Sequence, residues 1–383
     1  MRVLYLNPFA GEISGPDESL RALLAGLIPT GVDAHIVVPA AGSQVERYEA
    51  MGATVHVAPL AVLRRDLSLA TSLYPLNLAR SVVAVRAIAR RINADLIHTN
   101  MEVLLEGGFA ARLLGVPHVL HYRGNTLDRP KPVFDALTAV WTTTADHVYC
   151  ISHATAGVFA RRGRTAKVEV LHNPIDVARF AAAPRVPDVR ASLGASAATP
   201  LVGTVGRLHP RKDVETFLRA AAIVAAQLPD VRFAVVGSAE ASVELSYQQR
   251  LTALTAELGI GDRVTFAGAR RDIPAVMAAL DVFVLSSRHE GFGRVIAEAM
   301  AAGRSVVVSD EGAPPELVEA NRYGLCARPG DAGDFARHIL SLLTNPAAAA
   351  AMGARARTRA ADFDASAVAG RVRARYDQLT APR

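Results

Sequence analysis

Short apolar runs rich in Val, Ile and Leu alternate with amphipathic stretches along almost the whole chain, and few folds accommodate that pattern. Each helix carries the chain back so that the next strand lies parallel to the last. The expected class is therefore α/β, with parallel sheets wrapped by helices. In the first half, strands are read at 3–6, 34–38, 54–57, 96–99, 118–121, 147–151 and 168–172, with helices at 18–27, 78–92 and 106–114. Strands at 201–205, 232–236, 263–267, 282–285, 305–308 and 325–327 repeat the alternation in the second half. At 383 residues the chain exceeds one ordinary core. Periodicity fades over 181–200, where Ala, Pro and Gly gather, and restarts at Leu201. The expected division is a first domain over 1–180, a linker over 181–200, a second domain over 201–364 and a final helix over 365–383.

Composition removes several function classes. Cys150 and Cys326 are too few and too far apart for a disulfide framework or a zinc site, so a reducing cytoplasm is the expected compartment. No run of membrane-span length is free of charge, and residues 1–8 read as a strand rather than a signal peptide. The net charge of +6 is modest for this length. Its one concentration is residues 64–91, where Arg64, Arg65, Arg80, Arg86, Arg90 and Arg91 face Asp66 alone and are interleaved with Leu67, Leu69, Leu73, Leu76 and Leu78. That stretch reads either as a solvated outer helix face or as a peripheral contact for anionic lipid. Sparse aromatic residues and the absence of a recognition motif argue against nucleic acid as a partner.

Two segments carry the chemistry. In Ser286-Ser-Arg-His-Glu290-Gly291-Phe292-Gly293-Arg-Val-Ile-Ala-Glu298, two glutamates bracket a glycine turn between a strand and a helix. Glycines let a backbone approach a ligand closely, and the N–H groups of a starting helix attract an anion. Carboxylates repel phosphate, so Glu290 and Glu298 suit sugar hydroxyls; a nucleotide-linked sugar meets both demands. The other segment is Gly206-Arg207-Leu-His-Pro-Arg-Lys212-Asp213, between an apolar strand and a helix that Asp213 could cap. Lysines number three among the 42 basic residues (Lys131, Lys167, Lys212), which suggests that a compact point charge is wanted at 212. A solvated basic loop and an ordinary amphipathic helix remain the plain readings of the two segments.

Together these segments resemble the retaining nucleotide-sugar glycosyltransferases of the GT-B fold, specifically glycosyltransferase family 4, over nearly the whole chain. The family's pair of glutamates with seven residues between them is met by Glu290 and Glu298, and its Gly-Arg…Lys segment by Gly206, Arg207 and Lys212. The glycine that usually follows the lysine is Asp213 here, and the paired glycines of the first strand-to-helix turn are Gly15-Pro16. The resemblance implies two Rossmann-like domains facing each other across a cleft, the first on the acceptor side and the second binding the donor, with the last helix crossing back to the first. It implies donor contacts from Gly15, Gly206, Arg207, Lys212, Glu290, Gly291, Phe292, Gly293 and Glu298. It also places His121 beside the transferred sugar and the acceptor, with Arg123 and Asn125 in reach of the acceptor. His121, Arg207, Lys212 and Glu290 are the expected catalytic set. His98 and Asn100 end the preceding strand and have either cleft or structural roles.

The implied reaction moves a sugar from a nucleoside diphosphate to the hydroxyl of a sugar, lipid-linked or small-molecule acceptor, in glycan, polysaccharide or glycoconjugate synthesis. No cofactor or metal is expected: Asp362-Phe-Asp364 lacks a preceding strand, and Asp364 suits a helix cap. No Gly-x-Gly-x-x-Gly follows the first strand, which counts against a dehydrogenase. A GT-B nucleotide-sugar 2-epimerase and a non-catalytic nucleotide-sugar binding subunit are the competing functions.

Overall fold

The alternation closes into two separate parallel sheets in the computed structural model, which describes residues 1–9, 11, 14–63, 73–124, 131–239, 242–319 and 321–382. One unit comprises Met1–Pro174 with Ala365–Arg383, and the other Ile175–Asp364.

Unit 1 runs β1 (Arg2–Leu6), α1 (Gly15–Leu27), β2 (Asp33–Val38), α2 (Ser43–Glu49), β3 (Thr54–Val57), α3 (Tyr74–Arg91), β4 (Leu96–Thr99), α4 (Glu106–Leu114), β5 (His118–Tyr122), α5 (Lys131–Thr144), β6 (His147–Cys150), α6 (His153–Ala160) and β7 (Val168–Val170). Its strands lie in the order β3-β2-β1-β4-β5-β6-β7, all parallel.

Unit 2 begins with α7 (Val177–Ala181) and α8 (Pro187–Ser192). It continues with β8 (Leu201–Val205), α9 (Val214–Gln227), β9 (Arg232–Val236), α10 (Ser242–Glu257), β10 (Val264–Gly268), α11 (Ile273–Ala279), β11 (Val282–Leu285), α12 (Arg294–Ala301), β12 (Ser305–Ser309), α13 (Pro314–Leu317), β13 (Leu325–Ala327), α14 (Ala332–Leu343) and α15 (Pro346–Ala360). The order here is β10-β9-β8-β11-β12-β13, again parallel. In each unit the order reverses once, beside β1 in the first and beside β8 in the second. Open α/β sheets bind ligands at such reversals, beyond the C-terminal ends of the strands.

The final helix, α16 (Ala365–Thr380), belongs to unit 1, as the resemblance implied. Val368, Ala369, Val372 and Tyr376 recur at helical spacing and join one buried cluster with Leu20, Leu23, Leu24 and Leu27 of α1.

The domain boundaries differ from the sequence expectation. The junction falls between Pro174 and Ile175, and 181–200 is not a free linker but part of unit 2. Phe180, Leu193 and Ala195 are buried there, and the buried Arg190 donates from Nε to the Ser196 carbonyl (3.0 Å). Two helices this short give little periodicity, so the anchoring was invisible in the pattern.

Candidate functional site

The reversal beside β8 sets the loops after β8 and β11 side by side. Gly206 leaves β8 with φ +155° and donates its N–H to Val236 O (2.9 Å), while Gly237 leaves β9 with φ +148°. A Cβ on Gly237 would stand 1.9 Å from Gly206 O, so the two exits pack backbone against backbone and only glycine fits. Pro210–Lys212 then form a 3₁₀ turn, capped by His209 Nδ1, which accepts from Arg211 N (3.1 Å). Burial, and then the Arg211 charge, lower the pKa of His209 below the ordinary histidine value.

Asp213 explains its own departure from the family pattern. Its φ of +48° is left-handed, the region where glycine is easiest, and an aspartate tolerates it better than most residues. It does not cap α9 as expected: no helix N–H reaches its side chain. Its carboxylate accepts from Thr216 Oγ1 (2.9 Å) and Arg288 Nε (3.0 Å) instead.

Two further bonds tie the loops together: Ser286 Oγ donates to Asp213 O (2.8 Å), and Arg288 N to Arg211 O (3.1 Å). Across this seam, Lys212 Nζ meets Glu290 Oε2 at 2.5 Å. Glu290 is itself fixed through its carbonyl, which accepts from Ala313 N (3.0 Å). Gly293 (φ +85°) occupies the N-cap of α12 and, being glycine, brings no capping side chain of its own. Glu298 lies on the same helix, four residues after Arg294, whose Nη2 is 3.4 Å from Glu298 Oε1. Arg207 is 60% exposed and stands 3.6 Å from Glu244, beyond hydrogen-bond length. The Phe292 ring is buried edge-on against Phe363 (5.8 Å). The hydroxyls of Ser287 and Ser309, at the ends of β11 and β12, are buried without a hydrogen-bond partner among the described residues. The sequence motifs include both serines, but neither hydroxyl was assigned a role from the sequence.

In unit 1 the strand ends carry a buried polar chain. Asn7 Nδ2 donates to Asp17 Oδ1 (2.7 Å), and Asn100 Nδ2 to Asn7 Oδ1 (3.2 Å). Arg123 donates to Asn100 Oδ1 (2.6 Å), Asn100 O (2.8 Å) and Asn173 Oδ1 (2.6 Å), while its backbone N–H reaches Glu102 Oε2 (2.9 Å). Burial raises the Asp17 pKa, and the hydrogen bonds from Ser14 and Asn7 oppose the rise.

Two of the expected acceptor-side residues sit in the interior of this unit. Arg123 is engaged inside the unit as a brace for the strand ends. His121 is fully buried, stacked at 5.6 Å on His98, and neither ring nitrogen has a partner among the described residues. Burial, with Arg123 and His98 adding, lowers its pKa well below the ordinary histidine value. Alternation sets this facing: Leu120 and Tyr122 point to one face of the sheet, and His121 to the interior of the other. His98 is likewise structural, its Nδ1 2.5 Å from Tyr376 Oη. Gly15 opens α1, with Ser14 as N-cap and Pro16 in the first turn, and a Cβ on it would meet nothing within 4 Å. Asn125 lies outside the described residues. Among those described, no three His, Cys, Asp or Glu side chains gather as a metal site, and Asp362 pairs with Arg359 at 2.5 Å.

Residues 13–179 match glycosyltransferase family 4, and residues 186–359 match the group 1 glycosyl transferases. A 2-deoxystreptamine glucosyltransferase of Streptomyces kanamyceticus is 30% identical over 343 residues, covering 84% of this chain and 87% of its own. The chain belongs to glycosyltransferase family 4. Another relative, a 2-deoxystreptamine N-acetyl-D-glucosaminyltransferase of Streptomyces fradiae, is 29% identical over 372 residues, with 88% and 87% covered. Among solved structures, HepE of Anabaena in complex with UDP-glucose has a TM-score of 0.83 at 26% identity, covering 99% of this chain and all of that one (100%). This family-4 protein is a retaining, nucleotide-sugar-dependent glycosyltransferase of the GT-B fold that moves hexoses in glycoconjugate biosynthesis.

Proposed function

We propose that the donor is a uridine diphosphate hexose held by the loops after β8 and β11, and that the acceptor is a hydroxyl of a small cyclitol or sugar. The observation that carries the donor reading is the Lys212–Glu290 pair beside the glycine turn that opens α12. A lysine ammonium has three N–H donors, so it can keep Glu290 and still reach a phosphate oxygen. Lys212 and Arg207 then meet the charge that gathers on the diphosphate as the anomeric bond breaks, and the first N–H groups of α12 add to them. Glu290 has a second carboxylate oxygen to accept from a hydroxyl of the donor sugar, and Glu298 accepts from the ribose. The acceptor oxygen bonds to the anomeric carbon on the face that the leaving group departs, and the departing phosphate oxygen takes the acceptor proton. No covalent enzyme intermediate is required.

HepE, solved with UDP-glucose, supports the uridine donor. The two Streptomyces relatives named for 2-deoxystreptamine support a cyclitol acceptor. The test is a matrix of UDP-glucose, UDP-N-acetylglucosamine and GDP-mannose against 2-deoxystreptamine, myo-inositol and simple sugars, with product linkage read by NMR. Turnover with GDP-mannose alone would remove the uridine assignment. Epimerisation of the donor without acceptor would restore the 2-epimerase reading.

A second reading places the acceptor in a lipid surface. α3 exposes Leu76 and Val83 beside Arg80, Arg90 and Arg91, while residues 64–72 of that patch lie outside those described. Among the described residues no helix is long and apolar enough to cross a membrane, so such contact would be peripheral. Salt-sensitive binding to anionic vesicles, weakened by Arg80→Gln and Arg90→Gln, supports it; indifference to vesicles at low salt removes it.

A further inference from the structure

Unit 2 has a second concave site at the opposite pole of its sheet from the donor loops. A cavity of about 650 Å³ opens at the N-terminal ends of the strands, where Pro200 precedes β8, Asp281 precedes β11 and Arg304 precedes β12. That volume lies within the range of small-molecule sites. With β8 five residues long, the cavity is roughly 17 Å from the donor loops at ordinary strand rise.

Its charge is one-sided. Arg185, Arg304 and Arg357 line it, and Asp281 is the one carboxylate among the lining residues. Arg190, fully buried behind, also faces Asp281, at 3.5 Å. Burial first, and then the like charges of Arg185, Arg357 and Arg190, lower the Arg304 pKa, with Asp281 as the opposing influence.

Structural duty explains two of these arginines. Arg190 donates to the carbonyls of Ser196, Ala279 and Thr199, and Arg304 to those of Ala302 (3.0 Å) and Leu280 (3.1 Å), locking helix ends to strand starts. The other two are not accounted for in this way. Among the described residues, Arg185 bonds Asp281 through Nη2 (2.6 Å) and Arg357 bonds Ala302 O through Nη2 (3.2 Å), with no other hydrogen bond from either guanidinium. Each brings further N–H donors to the cavity wall. Ala197, Ala198, Leu342 and Pro346 are among the apolar residues of the wall.

We propose that this cavity binds a small organic phosphate, its phosphate between Arg185 and Arg357 and its carbon skeleton against the Ala197–Ala198 and Leu342–Pro346 walls. A guanidinium fork matches two phosphate oxygens at once, and an exposed cationic pocket with an apolar wall favours an organic phosphate over the bare ion.

Calorimetry on the full chain tests this with AMP, a hexose phosphate and inorganic phosphate, each titrated with UDP present in excess. The expected result is binding of an organic phosphate more tightly than inorganic phosphate. The double variant Arg185→Gln/Arg357→Gln should weaken it roughly tenfold or more, the scale of a lost charge-assisted hydrogen bond. Ala198→Glu removes no contact and places a carboxylate at the exposed rim, so it should weaken binding equally while leaving the melting temperature and UDP affinity unchanged. Organic phosphates that bind wild type and both variants alike would overturn the proposal. So would inorganic phosphate binding as tightly as any organic one, or no binding at all. Lys212→Ala keeps the two sites apart: it should affect UDP and leave this cavity alone, so failure of the donor assignment would not be mistaken for failure here.

Discussion

Unit 1 places histidines and tyrosines inside its sheet, whereas the central strands β11 and β12 of unit 2 fill theirs with Val282, Phe283, Val284, Leu285, Val306, Val307 and Val308. In unit 1, Tyr5, His98, His121 and Tyr149 are all fully buried, and its strand ends are braced by Asn7, Asp17, Asn100, Arg123 and Asn173, also buried. Unit 2 buries Arg190 as a brace at the opposite pole, but its donor loops hold arginines in solvent, Arg207 60% and Arg288 69% exposed. One architecture thus carries polar groups in two physical regimes. Buried ones are held by geometry, and losing a partner is costly because the rest cannot turn to water. Exposed ones are nearly neutral for stability and can follow a ligand whose charge changes during reaction.

The largest test of that contrast is Arg123→Ala. It orphans acceptors on Asn100 and Asn173 in a buried setting, so stability should fall by about 3 kcal/mol or more, read from the urea midpoint. A near-native midpoint would mean that the brace is dispensable. The counterpart in unit 2 is Lys212→Ala, expected to slow transfer roughly a hundred- to a thousandfold, the loss of one preorganised donor. Its stability should change by no more than about 1 kcal/mol, because the pair is partly solvated. Wild-type turnover would end the diphosphate assignment, and a collapse of the midpoint would erase the distinction between the units.

Acid should separate the units next. Burial lowers the pKa of His98 and His121 well below the ordinary value, and that of His118 to about 4. Each is neutral when folded and gains a proton more easily when unfolded. Their contribution is complete above the unfolded value near 6.5 and is lost as pH falls toward the folded one. For His118 alone the loss is about 1.4 kcal/mol per pH unit between 6.5 and 4. Asp17 and Glu106, raised by burial, act in the opposite sense and reduce the net slope. Amide exchange at pH 8 and 5.5 should show β4 and β5 losing protection before β11 and β12. Equal loss in both sheets would contradict the comparison.

Both sheets were legible because strand–helix alternation needs only local pattern, and the segments 206–213 and 286–298 were legible because glycines and charges at strand ends have few structural uses. What was hidden depended on facing or on distance. The sequence shows a histidine at the end of an apolar run but not which side of the sheet it takes, and His121 took the interior. Arg123 looked like a ligand contact because charge at a strand end usually is one; its partners, Asn100 and Asn173, lie 23 and 50 residues away. The Lys212–Glu290 pair spans 78 residues and could be inferred only as shared purpose, not as contact. The arginine-lined cavity draws on residues from 185 to 357, so no local motif announces it.

The smallest expected effect sharpens the contrast where it is least obvious, on α12. Glu298 is the most buried of the proposed donor carboxylates, its side chain 12% exposed, and Arg294 at 16% stands one helical turn before it. If α12 obeys the rule of unit 2, this i,i+4 pair contributes about 0.5 kcal/mol. Arg294→Ala should then move the melting temperature by only about 1–2 °C. UDP affinity should change by no more than about threefold, because the carboxylate that would meet the ribose is still present. Glu298→Ala should weaken free UDP far more than Arg294→Ala does. Glu290→Ala should spare free UDP and reduce transfer from UDP-sugar, since its partner is on the sugar. Calorimetry with UDP, paired with thermal melts of all three variants, reads these differences directly. A large melting shift for Arg294→Ala would place α12 with the buried braces of unit 1, and equal UDP losses in the Glu298 and Glu290 variants would dissolve their separate roles.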